Sequence, residues 1–181
     1  MDLKKNLSQI TEAQFGANTS ASPVGELACV QGRDFNSDGI YVAPEPQYVD
    51  HSALRFTRIL QDGDVLLSTK GRFFASVWKS QLKEAVATGT FIILKVKDPS
   101  VLPEFLAMFL NSTKAKKYYD FHSKTATVRH IGKKQLDYLE IEIPPIEKQR
   151  LLVKIHQLTL EEKQLTQQIS TIRERIINAM F

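Results

Sequence analysis

The chain has 181 residues, of which 43% are hydrophobic and 24% are charged, a composition typical of a globular domain of ordinary size with an appendage. Its N-terminus is polar, and no segment has the roughly 18 apolar residues that a membrane span requires. We therefore expect a cytoplasmic protein without a signal peptide or membrane contact. Cys29 is the single cysteine and the four histidines lack ligand spacing, so we predict neither a disulfide nor a metal site.

The formal net charge is +4, and the basic residues are unevenly distributed along the chain. Segment 114–134 contains a single acidic residue, Asp120, whereas segment 26–64 is net acidic. This distribution predicts one basic surface, which is either a nucleic-acid site or a solvated helix face with a loop. The basic residues of the segment are Lys114, Lys116, Lys117, Lys124, Arg129, Lys133 and Lys134.

The first half of the chain is expected to be rich in strands. Residues 1–23 end in small and polar residues with a proline, which predicts a loosely held lead-in segment before a domain at residues 24–145. Three short segments in that domain have strand composition and end at turn-forming residues: ELACVQG, DVLLSTKG and TFIILKVKD.

The second half of the domain is predicted to combine helix and strand. Pro103 is favourable at the start of a helix through EFLAMFLNS, and the amphipathic TKAKKYYDFH predicts a second helix directly after it. DYLEIEIP alternates apolar and acidic residues as a strand with one exposed face does, and Pro144-Pro145 ends it. The predicted fold class is α+β, with helices flanking a strand-rich domain.

Residues 146–181 are predicted to form one coiled-coil helix, about 50 Å long at about 1.5 Å per residue. Apolar residues recur at alternating spacings of four and three, with Glu162 as a polar interruption. A helix of this length extends beyond the domain before it, so we expect a second helix to cover the apolar residues. These dimerisation residues are Leu151, Ile155, Leu158, Leu165, Ile169, Ile172 and Ile176.

The sequence lacks the usual signatures of catalysis. It has no glycine-rich phosphate loop, no nucleophile elbow and no paired histidines at helical spacing, so we expect a non-catalytic protein. Two predicted loops, at 68–74 and 122–134, contain basic and hydroxyl residues that suit contacts with phosphates and base edges. Phe73, Phe74 and Trp78 are expected in the core rather than on a base-stacking surface.

Several segments resemble the DNA specificity subunit of type I restriction-modification systems. They are DGDVLLSTKG, PEFLAMFLNS and, above all, GKKQLDYLEIEIPPIEKQRLLVKIHQL followed by the heptad helix. In that family the pattern P-P-L-x-E-Q-x-x-I joins each target recognition domain to its spacer helix, and here it corresponds to residues 144–152. The chain departs from the pattern at Lys148, where the family usually has glutamate. The resemblance covers residues 24–181.

The usual family member has two recognition domains and two spacer helices, whereas this chain resembles a half-length subunit with one of each. The resemblance then implies a homodimer with antiparallel helices that reads an interrupted inverted repeat of double-stranded DNA. It also implies a methylase subunit that binds S-adenosylmethionine and a restriction and motor subunit that uses ATP, with no cofactor on this chain. The predicted DNA-binding residues are Lys70, Arg72, Lys124, Thr125, Thr127, Arg129, His130 and Lys133.

Two other interpretations remain open from the sequence. The chain is alternatively a coiled-coil dimer whose domain binds another protein, or an idle, truncated specificity cassette. Salt-dependent affinity for DNA separates the first alternative from a DNA reader, because phosphate contacts release counterions.

Overall fold

A computed structural model describes residues 3–43, 45–54, 58–79, 82, 84–123 and 130–181. These residues form a strand-rich domain followed by one long helix. In chain order the elements are β1 (Leu3–Asn6), α1 (Leu7–Ile10), β2 (Thr11–Phe15), β3 (Leu27–Val30), β4 (Tyr48–Val49), β5 (Val65–Ser68), β6 (Phe74–Val77), β7 (Ala85–Ala87), β8 (Phe91–Val96), α2 (Pro103–Leu110), α3 (Thr113–His122), α4 (Lys133–Asp137), β9 (Glu140–Ile143) and α5 (Ile146–Asn178). The predicted α+β class is confirmed.

Within the described part of the chain, the strands form three sheets. The largest has the order β2-β8-β5-β6 with antiparallel neighbours. In the second, β3 lies antiparallel to β4 and parallel to β7. The third pairs β1 with β9 in antiparallel register, so that Leu3 lies opposite Ile143. The two ends of the domain are therefore joined in one sheet.

The largest sheet is covered on both faces, which explains why residues 65–67 of β5 and 91–94 of β8 are all apolar. Val65 and Leu67 of β5 pack with α2 in one core cluster, whereas Leu66, between them, belongs to a second cluster with Phe74 and Trp78. Alternate residues of a strand point to opposite faces, so a strand buried on both sides has no polar face. The expected core positions of Phe74 and Trp78 are confirmed, and Phe73 is partly buried against the first cluster.

The N-terminal segment differs from the loose lead-in predicted for residues 1–23. Leu7 and Ile10 of α1 are 1% and 0% exposed and belong to the first core cluster. The Leu7 amide donates to the carbonyl of Leu139, at 2.9 Å, and β1 and β2 pair with β9 and β8. Their partners lie far away along the chain, so the segment gains its order from contacts that have no local sequence signal.

Helices α2, α3 and α5 and the last strand occupy the positions that the sequence predicts, whereas α1 and α4 were not predicted, and Lys133, expected in a loop, is the first residue of α4. Pro103 is the first residue of α2, and the Ser112 hydroxyl accepts a hydrogen bond from the Ala115 amide at the start of α3. In β9, Ile141 and Ile143 are buried whereas the two glutamates are exposed. The long helix α5 begins directly after the two prolines, and it confirms the predicted C-terminal helix.

Candidate nucleic-acid interface and helix surface

Lys70 and His130, one from each of the two predicted DNA-binding loops, lie next to each other. Lys70, in the turn between β5 and β6, forms an isolated antiparallel bridge with His130, and the Ile131 amide donates to the Thr69 carbonyl at 3.2 Å. Gly71 has a φ of 71°, which glycine adopts without strain and which gives the turn its shape. Lys70, His130 and Lys133 are all exposed. The predicted Lys124, Thr125, Thr127 and Arg129 lie outside the described residues.

Arg72 makes contacts within its own domain. Its guanidinium donates to the carbonyl of Phe35 at 3.0 Å and lies 4.6 Å from the centre of the Phe74 ring. It lines a cleft of about 450 Å³ between the domain and α5, together with Lys116 and His156. Arg72 therefore has a structural contact in addition to any role in binding DNA.

A second cleft, which we call the strand-end cleft, includes residues that the sequence did not identify. It has a volume of about 470 Å³ and adjoins the first loop through Lys70. Because β3 and β7 are parallel, their carboxyl ends lie at the same end of the sheet. The segment after β2 reaches this end as well, where Ala17 forms an isolated parallel bridge with Thr88. Its lining residues are Ala17, Asn18, Thr19, Gln31, Gly32, Arg33, Ser68, Lys70, Thr88, Gly89 and Thr90.

Backbone hydrogen bonds hold the walls of the strand-end cleft close together. The Ala17 amide donates to the carbonyl of Ala87 at 2.7 Å, and the Gly89 amide donates to the carbonyl of Ala17 at 2.6 Å. At Gly16 a side-chain Cβ would collide with the carbonyl oxygens of Ala87 and Thr88. Glycine is required there because the two backbones approach so closely.

The strand-end cleft combines positive charge with unused hydrogen-bonding capacity. Arg33 and Lys70 are exposed, and the Gln31 side-chain nitrogen is buried without a hydrogen-bond partner among the described residues. The Gln31 backbone amide donates to the carboxylate of Asp34 at 2.7 Å, which fixes the turn after β3. Burial raises the pKa of Asp34, whereas this hydrogen bond and the charge of Arg33 oppose the rise. The two exposed cations suit an anionic ligand such as a phosphate backbone.

One side of α5 is attached to the domain. Gln149 is fully buried, and its side-chain oxygen accepts from the Leu102 amide at 2.9 Å. Its side-chain nitrogen donates to the carbonyls of Ser100 and Pro144, at 2.7 and 2.8 Å. Further along this side, Leu152 and Val153 pack against the core, and His156 and Leu160 line the clefts beside the domain. The glutamine of the P-P-L-x-E-Q pattern therefore fixes the helix to the domain.

The opposite side of α5 carries the predicted dimerisation residues, which we call the outer seam. The outer seam includes Ile155, Leu158 and Glu162, each of which comes two positions after a residue that faces the domain. At about 100° per residue, this spacing places them on the far side of the helix. The apolar members of the outer seam are between 49% and 60% exposed. Beyond the ion pair of Lys163 with Asp38, all residues of α5 are exposed. The apolar residues of the outer seam are Leu151, Ile155, Leu158, Leu165, Ile169, Ile172 and Ile176.

Neither a metal centre nor a membrane span is found in the part of the chain that the structure describes. No group of three or more histidine, cysteine, aspartate or glutamate side chains there is arranged to hold a metal ion. No helix among the same residues is long and apolar enough to cross a membrane.

Comparison with known protein families identifies the class of the domain. The model of the type I restriction modification DNA specificity domain matches residues 36–172, which is most of the chain and includes the domain from β4 onward and the greater part of α5. The chain therefore belongs to this family. No curated protein sequence matches the chain.

Solved structures with the same fold come from type I restriction-modification systems. One is a chain from a structure that describes the complex assembly and conformational transition of the type I R-M system. It has a TM-score of 0.63 and 20% identity, and the match covers 91% of this chain and 40% of that chain. The HsdS subunit from Thermoanaerobacter tengcongensis has a TM-score of 0.59 and 18% identity, and the match covers 89% of this chain and 38% of that subunit. The S subunit from M. genitalium has a TM-score of 0.59 and 13% identity, and the match covers 89% of this chain and 39% of that subunit. The present chain spans about two fifths of the length of each.

Proposed function

We propose that this chain is a sequence-specific DNA-binding specificity subunit that acts as a homodimer. The dimer reads an interrupted inverted repeat in double-stranded DNA and positions a methylase subunit and a restriction subunit on it. The observation that carries the proposal is the combination of a specificity-domain fold with an outer seam that faces away from its own domain. A single recognition domain reads one half-site, and pairing through the outer seam supplies the second.

The exposed surface of the outer seam is large enough to support association. Full burial of an exposed leucine or isoleucine stabilises by about 1.5–3 kcal/mol. Because these side chains are already about half buried, each contributes about 1 kcal/mol. Two copies together then gain about 10–15 kcal/mol, against an association cost of about 4–15 kcal/mol. We therefore expect a dimer that dissociates measurably on dilution.

DNA binding is assigned to the surface around Lys70, His130 and the strand-end cleft. Lys70, Lys133 and Arg33, which are exposed, neutralise phosphates. The predicted Lys124, Thr125, Thr127 and Arg129 belong to the same proposal. The chemistry of methylation and cleavage is assigned to partner subunits, which bind S-adenosylmethionine and ATP respectively, and a flipped adenine is the expected methylation target.

The test of this function is the sequencing of modified bases in cells that express the chain together with its methylase subunit. Methylation at an interrupted inverted repeat, absent when the methylase is expressed alone, supports both the reader role and the symmetric dimer. An asymmetric methylated site refutes the homodimer, and the absence of a new methylated site refutes the proposed role as an active reader.

A binding experiment with two lysine variants tests the DNA surface separately. Lys70→Ala removes a charge from the proposed surface, and Lys97→Ala removes the same charge just after β8, at the opposite end of that strand from the strand-end cleft. Loss of one phosphate contact lowers the slope of log affinity against log salt by about one. We expect this change for Lys70→Ala and none for Lys97→Ala. Equal slopes for the two variants contradict the assignment of Lys70.

A further inference from the structure

One side of α3 carries three aromatic rings that are in contact with each other. At about 100° per residue, Lys117, Tyr118, Phe121 and His122 lie on the same side of the helix, and we call them the aromatic face. The centre of the His122 ring lies 4.3 Å from that of Tyr118 and 5.1 Å from that of Phe121. Phe121 is 70% exposed, and Lys117 and His122 are also exposed. The aromatic face therefore presents apolar ring surface and positive charge to the solvent together.

The other two sides of α3 have contacts within the protein. Ala115 and Tyr119 are fully buried in the first core cluster, and Lys116 and Asp120 line the cleft beside α5. A helix that is packed on one side normally carries polar residues on its solvent side. The packing of the domain therefore does not account for an exposed phenylalanine on α3.

The rings of the aromatic face are ordered by a contact between two helices. The hydroxyl of Tyr118 donates to the carbonyl of Gln135, in α4, at 2.6 Å, and the His122 ring lies against the Tyr118 ring. Side chains that are already ordered lose less conformational entropy when a partner binds. The aromatic face is therefore prepared for a contact that uses its rings.

The aromatic face is connected to the surface to which we assign DNA binding. Gln135 lies in the first turn after Gly132, and a Cβ at Gly132 would lie 2.7 Å from the Gln135 side-chain oxygen and 4.0 Å from the His130 ring. His130 in turn forms a bridge with Lys70. Contacts thus run from Tyr118 through the start of α4 to Lys70, so both surfaces belong to one continuous region.

Positively charged side chains adjoin the aromatic face. Lys133 and Lys134, in the same turn of α4 as Gln135, are exposed. On α3, Lys114 pairs with Glu142 at 2.8 Å, so the charge of that carboxylate is balanced. Cations suit the phosphates of a DNA duplex, and an exposed ring suits the thymine methyl groups and deoxyribose carbons of its grooves. The combination favours DNA as the partner of this surface.

We propose that the aromatic face is a further contact surface for duplex DNA, in which Phe121 packs against apolar groups of a groove and Lys117 contacts a phosphate. This inference rests on the proposed DNA-binding function and extends it to residues outside the predicted set. Lys117 contributes affinity that falls as salt rises, because a phosphate contact releases counterions. The ring of Phe121 contributes affinity that depends little on salt.

Binding to two duplexes of equal length, over a range of salt concentrations, tests both residues. One duplex carries the methylated site and the other has a random sequence. Phe121→Ala should weaken binding to the site about tenfold without changing the salt slope, whereas Lys117→Ala should lower the slope by about one. Phe121→Trp keeps an aromatic ring and should retain most of the affinity.

The matched control is Phe181→Ala, which removes an exposed phenylalanine beyond the end of α5. It should bind DNA as the unsubstituted chain does. Because Phe121 is exposed, Phe121→Ala should unfold at nearly the same temperature as the unsubstituted chain. Equal affinities of Phe121→Ala and Phe181→Ala for the site refute the contact and leave the proposed function standing. An unsubstituted chain that binds neither duplex refutes the proposed function and this inference together.

Photochemical cross-linking distinguishes DNA from a protein as the partner of the aromatic face. Phe121→benzoylphenylalanine places a photoreactive ring at this position, and the full chain is irradiated with its methylase subunit and the duplex that carries the site. We expect a cross-link to the DNA, and only background when the same group replaces Phe181. A cross-link to the methylase subunit without one to the DNA overturns the proposal.

Discussion

Substitution of Gln149 by alanine should loosen the attachment of α5 to its domain. The fully buried side chain makes three hydrogen bonds to backbone groups, with the Leu102 amide and the carbonyls of Ser100 and Pro144. Each hydrogen bond contributes about 1 kcal/mol net, so the loss of all three predicts a destabilisation of about 3 kcal/mol. For a protein of this size that corresponds to a fall in melting temperature of roughly 6–12 °C.

Thermal and urea unfolding of Gln149→Ala measure this loss, with Gln167→Ala as a control. Gln167 lies on the exposed part of α5, away from the outer seam, so its substitution should change stability by less than about 0.5 kcal/mol. Gln149→Met keeps most of the side-chain volume but none of the three hydrogen bonds, and it should be nearly as unstable as the alanine variant. A Gln149→Ala protein as stable as Gln167→Ala refutes the hydrogen-bonded attachment.

Two further predictions concern the domain itself. The hydrogen bond from Lys5, at 2.6 Å, is the largest of the effects that lower the pKa of Asp98 from 3.8 to about 2, so the pair stabilises the fold above about pH 4 and this contribution is lost as the pH falls towards 2. Because Lys5 is about one-third exposed, we expect the pair to contribute about 1 kcal/mol to the free energy of unfolding. Asp98→Asn should remove this contribution, so the variant should lose the difference in stability between pH 5 and pH 3 that urea unfolding measures in the unsubstituted protein. An unchanged pH dependence in the variant contradicts this role of the pair. The buried Tyr119 hydroxyl donates to the Leu110 carbonyl at 3.0 Å, so Tyr119→Phe should cost about 1 kcal/mol in thermal unfolding, whereas Tyr138→Phe, at a side chain 74% exposed, should cost almost nothing.

The elements that were predictable from the sequence are those with a strong local period. The alternation of β9, the two prolines and the heptad spacing of α5 each depend on neighbouring residues, and the structure agrees with all three. The start of α2 at Pro103 was predictable for the same reason. In each case the residues of the element itself determine which of its positions are buried.

The elements that were not predicted depend on distant partners. β1 is exposed along half its length and contains two lysines, and only its pairing with β9, more than 130 residues later, makes it a strand. The strand-end cleft has the same origin, because Arg33, Lys70 and Thr88 come from separate segments. Their proximity follows from the parallel pairing of β3 with β7 and from the hairpin of β5 and β6. Composition alone identified Lys70 and not Arg33, since Arg33 follows a short strand without other basic residues nearby.

In the proposed homodimer, the two sides of α5 together determine how far apart the two recognition domains are held. Gln149 and the packed residues up to Leu160 prevent the helix from rotating against its own domain, because rotation would break three hydrogen bonds and expose core residues. If the two helices of the proposed homodimer pair antiparallel along the whole outer seam, from Leu151 to Ile176, the twofold axis lies between residues 163 and 164, and the two Gln149 attachment points lie roughly 40 Å apart along the helix pair. This distance is of the order of one turn of DNA, about 34–36 Å. Under this proposal the spacing between half-sites is set by the protein, because Gln149 attaches each domain to its helix and the outer seam holds the two helices together. A variant that alters either contact should change the length of the interruption in the repeat without changing the half-site sequence, since the residues that read the DNA are elsewhere.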